Sequence, residues 1–176
     1  MTVTVTAPTL PWSDALALGL DFMDQTHEEF VDLLARCEAA ADADLRALWR
    51  ELVAHTAEHF ASEDAWMRDT GFASGNCHSV QHKVVLQVLR EGETLADTGN
   101  LAPARQMIRE LAIWFPHHAQ SMDAGLALHL RGVGYDPATG QVRRPDALPA
   151  AQIHGCGGAT CSPTDAAAEA QATATA

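Results

Sequence analysis

The stretch His59-Phe60-Ala61-Ser62-Glu63 constrains this chain more than any other. His59 and Glu63 stand four residues apart, so on a helix both side chains leave one face, a turn from each other. The same face carries Leu45, Leu48, Leu52 and Trp66, which points it into a core. A carboxylate in such a place is costly unless something cationic meets it, and an imidazole offered beside it makes a transition-metal ligand pair. Further donors follow at similar spacing: His78 and His82, then His118 and Asp123, with His27 upstream on an apolar stripe of its own. These seven candidate metal ligands fall on four expected helices.

The helices are read from periodicity and punctuation. Residues 1–23 form an extended arm in which Pro8 and Pro11 oppose a helix and Trp12 is available to plug one end of a core. The first helix is expected from Asp24, a capping residue, to about Ala41, with His27, Phe30, Leu33, Leu34 and Cys37 inward. A second runs from Asp42 or Asp44 to about Asp69 and ends at Thr70-Gly71. A third spans about 77–94, with His78, His82, Val85 and Leu89 on one stripe. A fourth opens at Pro103 and runs to about Arg131, carrying Met107, Leu111, Trp114, His118 and Met122. Four such helices on short loops fold most simply as an all-α, up-down-up-down four-helix bundle. The expected domain is therefore residues 1–131, arm included, and residues 132–176, rich in Gly, Pro, Ala and Thr, read as a flexible low-complexity tail that is disordered.

Composition narrows the function. A net charge of -12 offers no basic surface for phosphates, which argues against nucleic acid and anionic membrane as partners. No apolar run approaches the length of a membrane helix, and Met1 to Leu10 lack the basic start and apolar stretch of a secretory signal. The expected compartment is the cytoplasm, and in it the four cysteines are expected as free thiols. His154, Cys156 and Cys161 in the tail leave an auxiliary metal site, a disulfide or inert thiols all open, because their spacing is not that of a zinc knuckle.

Any one of the inward histidines, taken alone, reads as a hydrogen-bonded core residue. Five of them with two carboxylates, spread over all four helices, would load a structural core with desolvated polar groups. A dinuclear metal centre satisfies all seven together. His118 and Asp123 strain the geometry, because five residues turn about 140° past a full turn on a regular helix. Pro116 suggests a remedy: it removes a backbone hydrogen bond and is expected to kink the helix just before His118.

These motifs, Asp24-Gln25-Thr26-His27, His59 to Glu63, His78 to His82 and His118 to Asp123 in that order, resemble those of the hemerythrin family of HHE cation-binding domains, in its bacteriohemerythrin branch. The resemblance covers residues 12–131 and fills every ligand position of the family pattern. It implies two non-haem iron ions with an oxo or hydroxo bridge. It further implies that His78, His82 and His118 hold one iron, that His27 and His59 hold the other, and that Glu63 and Asp123 bridge them. On that count one position stays open on the second iron, where O2 or another small diatomic ligand would bind.

Five neutral imidazoles and two carboxylates donate less negative charge than the four carboxylates and two histidines of ferritin-like oxidases, so reversible O2 binding suits the set better than O–O cleavage. The expected function is O2 binding for storage, delivery or sensing, with enzymatic activity left open. The alternatives are a redox enzyme acting on peroxide, nitric oxide or ferrous iron, and an iron-handling protein. Phe60, Trp66, Met67 and Leu33 are expected either as apolar lining of the ligand pocket or, equally, as ordinary bundle core. His55 is expected as a partly exposed core residue, His117 and His129 as surface residues, and Cys77 as a thiol without a role. No protein partner follows from the sequence.

Overall fold

A computed structural model describes residues 9–72 and 77–151. The first eight residues, the 73–76 loop and the tail beyond 151, with His154, Cys156 and Cys161, lie outside the described residues.

The described residues form the expected all-α bundle. Helix α1 spans Asp21–Ala39, α2 Asp42–Asp69 and α3 Cys77–Asp97. The fourth rod is α4, Ala102–His118, continued by a π-helical turn, Ala119–Asp123, and by α5, Ala124–Val133. Asp24 is not the first cap. Helix α1 starts three residues earlier, and the Asp24 carboxylate instead accepts the backbone N–H groups of Leu18 at 2.6 Å and Gly19 at 2.9 Å. That pins the arm back onto the helix, and Leu16 is thereby buried in the core while Trp12 packs against it.

The helix stops follow the turn chemistry. At the end of α2 the Gly71 N–H bonds Arg68 O at 3.3 Å and the Phe72 N–H bonds Met67 O at 2.9 Å. This is the paired Schellman arrangement, which needs a left-handed residue, supplied by Gly71 at φ +70°. The Phe72 and Met67 side chains meet in the same apolar cluster, as that motif favours. Gly99 closes α3 in the same way, with Gly99 N–H on Ala96 O and Asn100 N–H on Leu95 O. Arg105 of α4 reaches the Ala40 carbonyl at 2.8 Å and holds α4 against the α1–α2 turn.

The apolar core is split into two stacks. One joins Phe30, Leu34, Trp49, Leu52, Ile108 and Phe115 with their neighbours, and the other joins Met23, Met67, Phe72, Leu126 and Leu130. Between them in α1, α2 and the fourth rod lies a polar position: His27 after Met23, Glu63 before Met67, Asp123 before Leu126, and the buried His78 and His82 of α3 join the same layer. Burying this layer is tolerable only if its polar groups are satisfied within it.

Two expectations need correction. The segment after α5 does not begin as a disordered tail. Gly134, at φ +65°, turns the chain into a short antiparallel hairpin, Tyr135–Asp136 (β1) against Gln141–Val142 (β2), followed by a 3-10 turn at Pro145–Ala147. Its backbone bonds from Arg143 to Gly134 and from Arg144 to Val133 tie it to the end of α5, an order that composition did not signal. The cysteines are not all free thiols either. Cys37 is free and buried, its thiol pushed up to about 11 by burial, whereas Cys77 at the first residue of α3 is disulfide-bonded. Spacing alone does not reveal which thiols meet, and the thiol argument for a cytoplasmic location falls with it. No helix among the described residues is long and apolar enough to cross a membrane.

Candidate metal centre

All seven sequence-derived candidates converge in the polar layer, and each is buried. His27 comes from α1, His59 and Glu63 from α2, His78 and His82 from α3, His118 from the end of α4 and Asp123 from the end of the π turn. The four-residue pairs need nothing beyond regular helix, and His59 Nε2 stands 3.2 Å from Glu63 Oε1. The five-residue pair is brought together by the π turn. There the Ala124 N–H bonds the Ala119 carbonyl, five residues back, so the wider turn absorbs one extra residue. Pro116 lies inside α4, one turn earlier, where its missing N–H leaves the preceding turn one bond short.

The two carboxylates divide their oxygens between two sets of histidines. Glu63 Oε1 faces His59 at 3.2 Å and His27 at 3.8 Å, while Oε2 faces His78 and His82, each at 3.3 Å. Asp123 Oδ2 faces His27 at 3.4 Å, while Oδ1 faces His78 at 2.9 Å and His118 at 3.2 Å. Glu63, His78, His82, His118 and Asp123 form one group whose donor atoms lie within 4.8 Å of one another, and His27, His59 and Glu63 form a second.

The electrostatics match this crowding. Burial opposes the charged form of Glu63, but the surrounding imidazoles, His59 foremost, hold its carboxyl well below the usual range. Asp123 is likewise held low: burial and the Glu63 charge oppose ionisation, and His118 and His78 outweigh them. Burial works to lower His78, yet Asp123 and Glu63 push it up to about 9. His27 and His82 are also raised against the effect of burial by their carboxylates, whereas burial wins at His118 and lowers it.

The donor set fits metal ions. Nε2 of His27 and of His78, Glu63 Oε2 and both Asp123 oxygens are buried and, although they crowd one another, none makes a well-aligned hydrogen bond among the described residues. Left so, each would carry a desolvation penalty of about 1–3 kcal/mol. Nε2 of His82 and of His118 face each other at 3.2 Å. Imidazole nitrogens and carboxylates are borderline ligands suited to iron, zinc or copper, and a cation pair between them relieves the whole layer at once.

The surrounding rings are partly those expected. Phe60 is buried in the layer but stacks on His82, with centroids 4.0 Å apart. Trp66 packs instead edge-on to Phe22, and Met67 belongs to the lower apolar stack. The ring against His27 is Phe115, at 5.1 Å, backed by Phe30 at 4.7 Å. Phe115 precedes His118 by three residues and so shares its face, the one signal that could have exposed it. Trp114 stacks on His118 at 4.3 Å. His82 Nδ1 meets Asp64 Oδ1 at 3.1 Å and His118 Nδ1 meets Gln81 Oε1 at 3.3 Å, two outer contacts that the sequence reading missed. His55 is half-buried beside Glu29 at 3.4 Å, and His117 is exposed, both as expected. His129 is not a plain surface residue, for it is half-buried, bonds the Thr70 carbonyl at 3.1 Å and lies against Phe72.

Fold and site together define a four-helix-bundle protein with a buried histidine–carboxylate cluster of a kind that could hold metal ions. Its particular family follows from comparison: the description "Hemerythrin HHE cation binding domain" matches residues 18–128, and the chain belongs to the hemerythrin family. A bacteriohemerythrin of Ralstonia nicotianae is 36% identical over 129 residues, covering 73% of this chain and 94% of that protein. A bacteriohemerythrin of Pseudomonas aeruginosa is 26% identical over 120 residues, 66% of this chain and 78% of the relative. A myohemerythrin of Riftia pachyptila is 28% identical over 112 residues, 64% of this chain and 86% of the relative. No solved structure matches the chain.

Proposed function

We propose that the chain is a non-haem di-iron protein that binds O2 reversibly, for storage, delivery or sensing. His78, His82 and His118 would hold one iron, His27 and His59 the other, and Glu63 and Asp123 would bridge the pair. The observation that carries this reading is the division of oxygens: each carboxylate turns one oxygen to His27 and the other to His78, as a bridging ligand must. When bound, the iron pair supplies the electrons and the open coordination position for a diatomic ligand. The chain's own part is selectivity and protection. His27 and His59 would be two histidine ligands where the opposite side has three, so the incomplete position would fall on the His27 side. There Phe115 and Phe30 make the surroundings apolar, and among the described residues the carboxylates offered directly to the metals would be Glu63 and Asp123 alone, less negative charge than O–O cleavage favours. The family membership and the bacteriohemerythrin relatives support iron as the metal.

The test is the absorption spectrum of the anaerobically reduced, iron-loaded chain before and after O2 is admitted. Charge-transfer bands that appear with O2 and vanish when it is pumped off support the reading. Immediate conversion to a stable oxidised spectrum, with turnover of peroxide, nitric oxide or ferrous iron, contradicts it and shifts the function to redox catalysis.

A further inference from the structure

Among the described residues, two of the five imidazoles are held from behind by a side chain and three are not. Asp64 Oδ1 lies 3.1 Å from His82 Nδ1, and Gln81 Oε1 lies 3.3 Å from His118 Nδ1. A carboxylate or amide oxygen only accepts, so each of these rings, in the neutral form a metal requires, carries its proton on Nδ1 and turns a bare Nε2 inward. The two nitrogens face each other at 3.2 Å, a separation that either a shared proton or a metal ion lying against both would relieve. By contrast, Nδ1 of His27, of His59 and of His78 is buried without a hydrogen-bond partner among the described residues. The donors themselves are uneven too, five on the His78 side against three on the His27 side.

We propose that Asp64 and Gln81 are positioning residues that make the halves of the centre unequal, so that the half built on His78, His82 and His118 takes its metal ion first and releases it last. This rests on the di-iron reading above. A partner on the outer ring nitrogen fixes tautomer and ring orientation and raises ligand basicity, and among the described residues only one half has such partners from side chains. Asp64 stands next to the bridging Glu63 on α2 with its side chain 35% exposed, so it spans from solvent to the ligand shell. Gln81 stands next to His82 on α3 and reaches across to the fourth rod, tying the two helices together at the metal layer.

The test is release of ferrous iron from the full, anaerobically loaded chain to a strong Fe(II) chelator. The wild-type chain should release its iron in two phases of equal amplitude. Asp64→Ala should accelerate the slow phase about 10-fold or more and leave the fast phase unchanged, and Gln81→Met should do likewise. Asp64→Asn and Gln81→Glu each keep an acceptor oxygen and should restore most of the slow phase. A second readout is the nitrogen NMR of the zinc-loaded chain, where His82 and His118 should ligate through Nε2 with the proton on Nδ1. Release of both ions in a single phase, equal acceleration of both phases, or ligation by His82 through Nδ1 would overturn the inference while leaving the di-iron reading intact. A chain that takes up no iron refutes both.

Discussion

His118 and Asp123 lie five residues apart, yet His118 Nε2 and Asp123 Oδ1 stand 3.2 Å apart and both side chains are buried. The π turn between them makes this possible by accommodating one residue more than a regular helix would. Deleting the exposed Ser121 should therefore leave an unbroken α-helix in which the pair sits at four-residue spacing, still on one face, and the shortened chain should keep its metal. Inserting one alanine at the same place should swing Asp123 away and abolish metal binding with little loss of helix. Iron per chain and circular dichroism check both variants.

Glu63 and Asp123 each turn one oxygen to His27 and the other to His78, so each would serve both halves of the proposed centre. Glu63→Ala and Asp123→Ala should each reduce iron content below one ion per chain, and His118→Ala should lose at least the ion on its own side. Because metal binding and folding are coupled, iron should raise the melting temperature of the wild-type chain by many degrees and of the Glu63 variant hardly at all. Thermal melts with and without ferrous iron measure this.

His55 precedes His59 by one turn but points to Glu29 at the surface. His55→Ala should keep both irons, with stability lowered by about 1 kcal/mol. Iron loss equal to that of His118→Ala would make His55 part of the centre.

In the metal-free chain His78 titrates near 9 in place of its ordinary 6.5. A raised folded-state value means its contribution is complete below about pH 6.5 and is lost as the pH rises through 9. On the linkage scale this is on the order of 3 kcal/mol. Glu63 and Asp123, held below the carboxylate range, contribute in the opposite sense, above about pH 4, and lose it in acid. The metal-free melting temperature should thus peak in mildly acidic solution and fall toward pH 9. The iron-loaded chain, whose ligands must be neutral imidazoles, should escape the alkaline fall.

Phe115 packs against His27 and Phe30 at the side proposed for the ligand. Phe115→Ala should lower stability by about 3–5 kcal/mol and, by admitting water, shorten the lifetime of the O2-bound spectrum. Chemical denaturation and the decay of that spectrum report the two effects separately.

Much of this was legible from spacing alone. His59 with Glu63, and His78 with His82, lie on one face of any regular helix, and glycines 71 and 99 mark the stops of α2 and α3 because only a left-handed residue completes those turns. What stayed hidden depended on geometry that period counting cannot supply. His118 and Asp123 looked misaligned because a π turn leaves no composition signature, and the expected kink at Pro116 was a different solution to the same misfit. Asp64 looked like a solvated neighbour of Glu63, since only the docking of α3 brings His82 Nδ1 to it. Trp66 and Met67 face the lower stack, one turn beyond the metal layer, so the ring beside His27 had to come from another helix.

The most direct test of the central claim is anomalous diffraction at the iron edge from crystals of the loaded chain. Two peaks are predicted, one among His78, His82 and His118 and one beside His27 and His59, both within ligand distance of Glu63 and Asp123. A single peak, or two peaks that do not share both carboxylates, would contradict it.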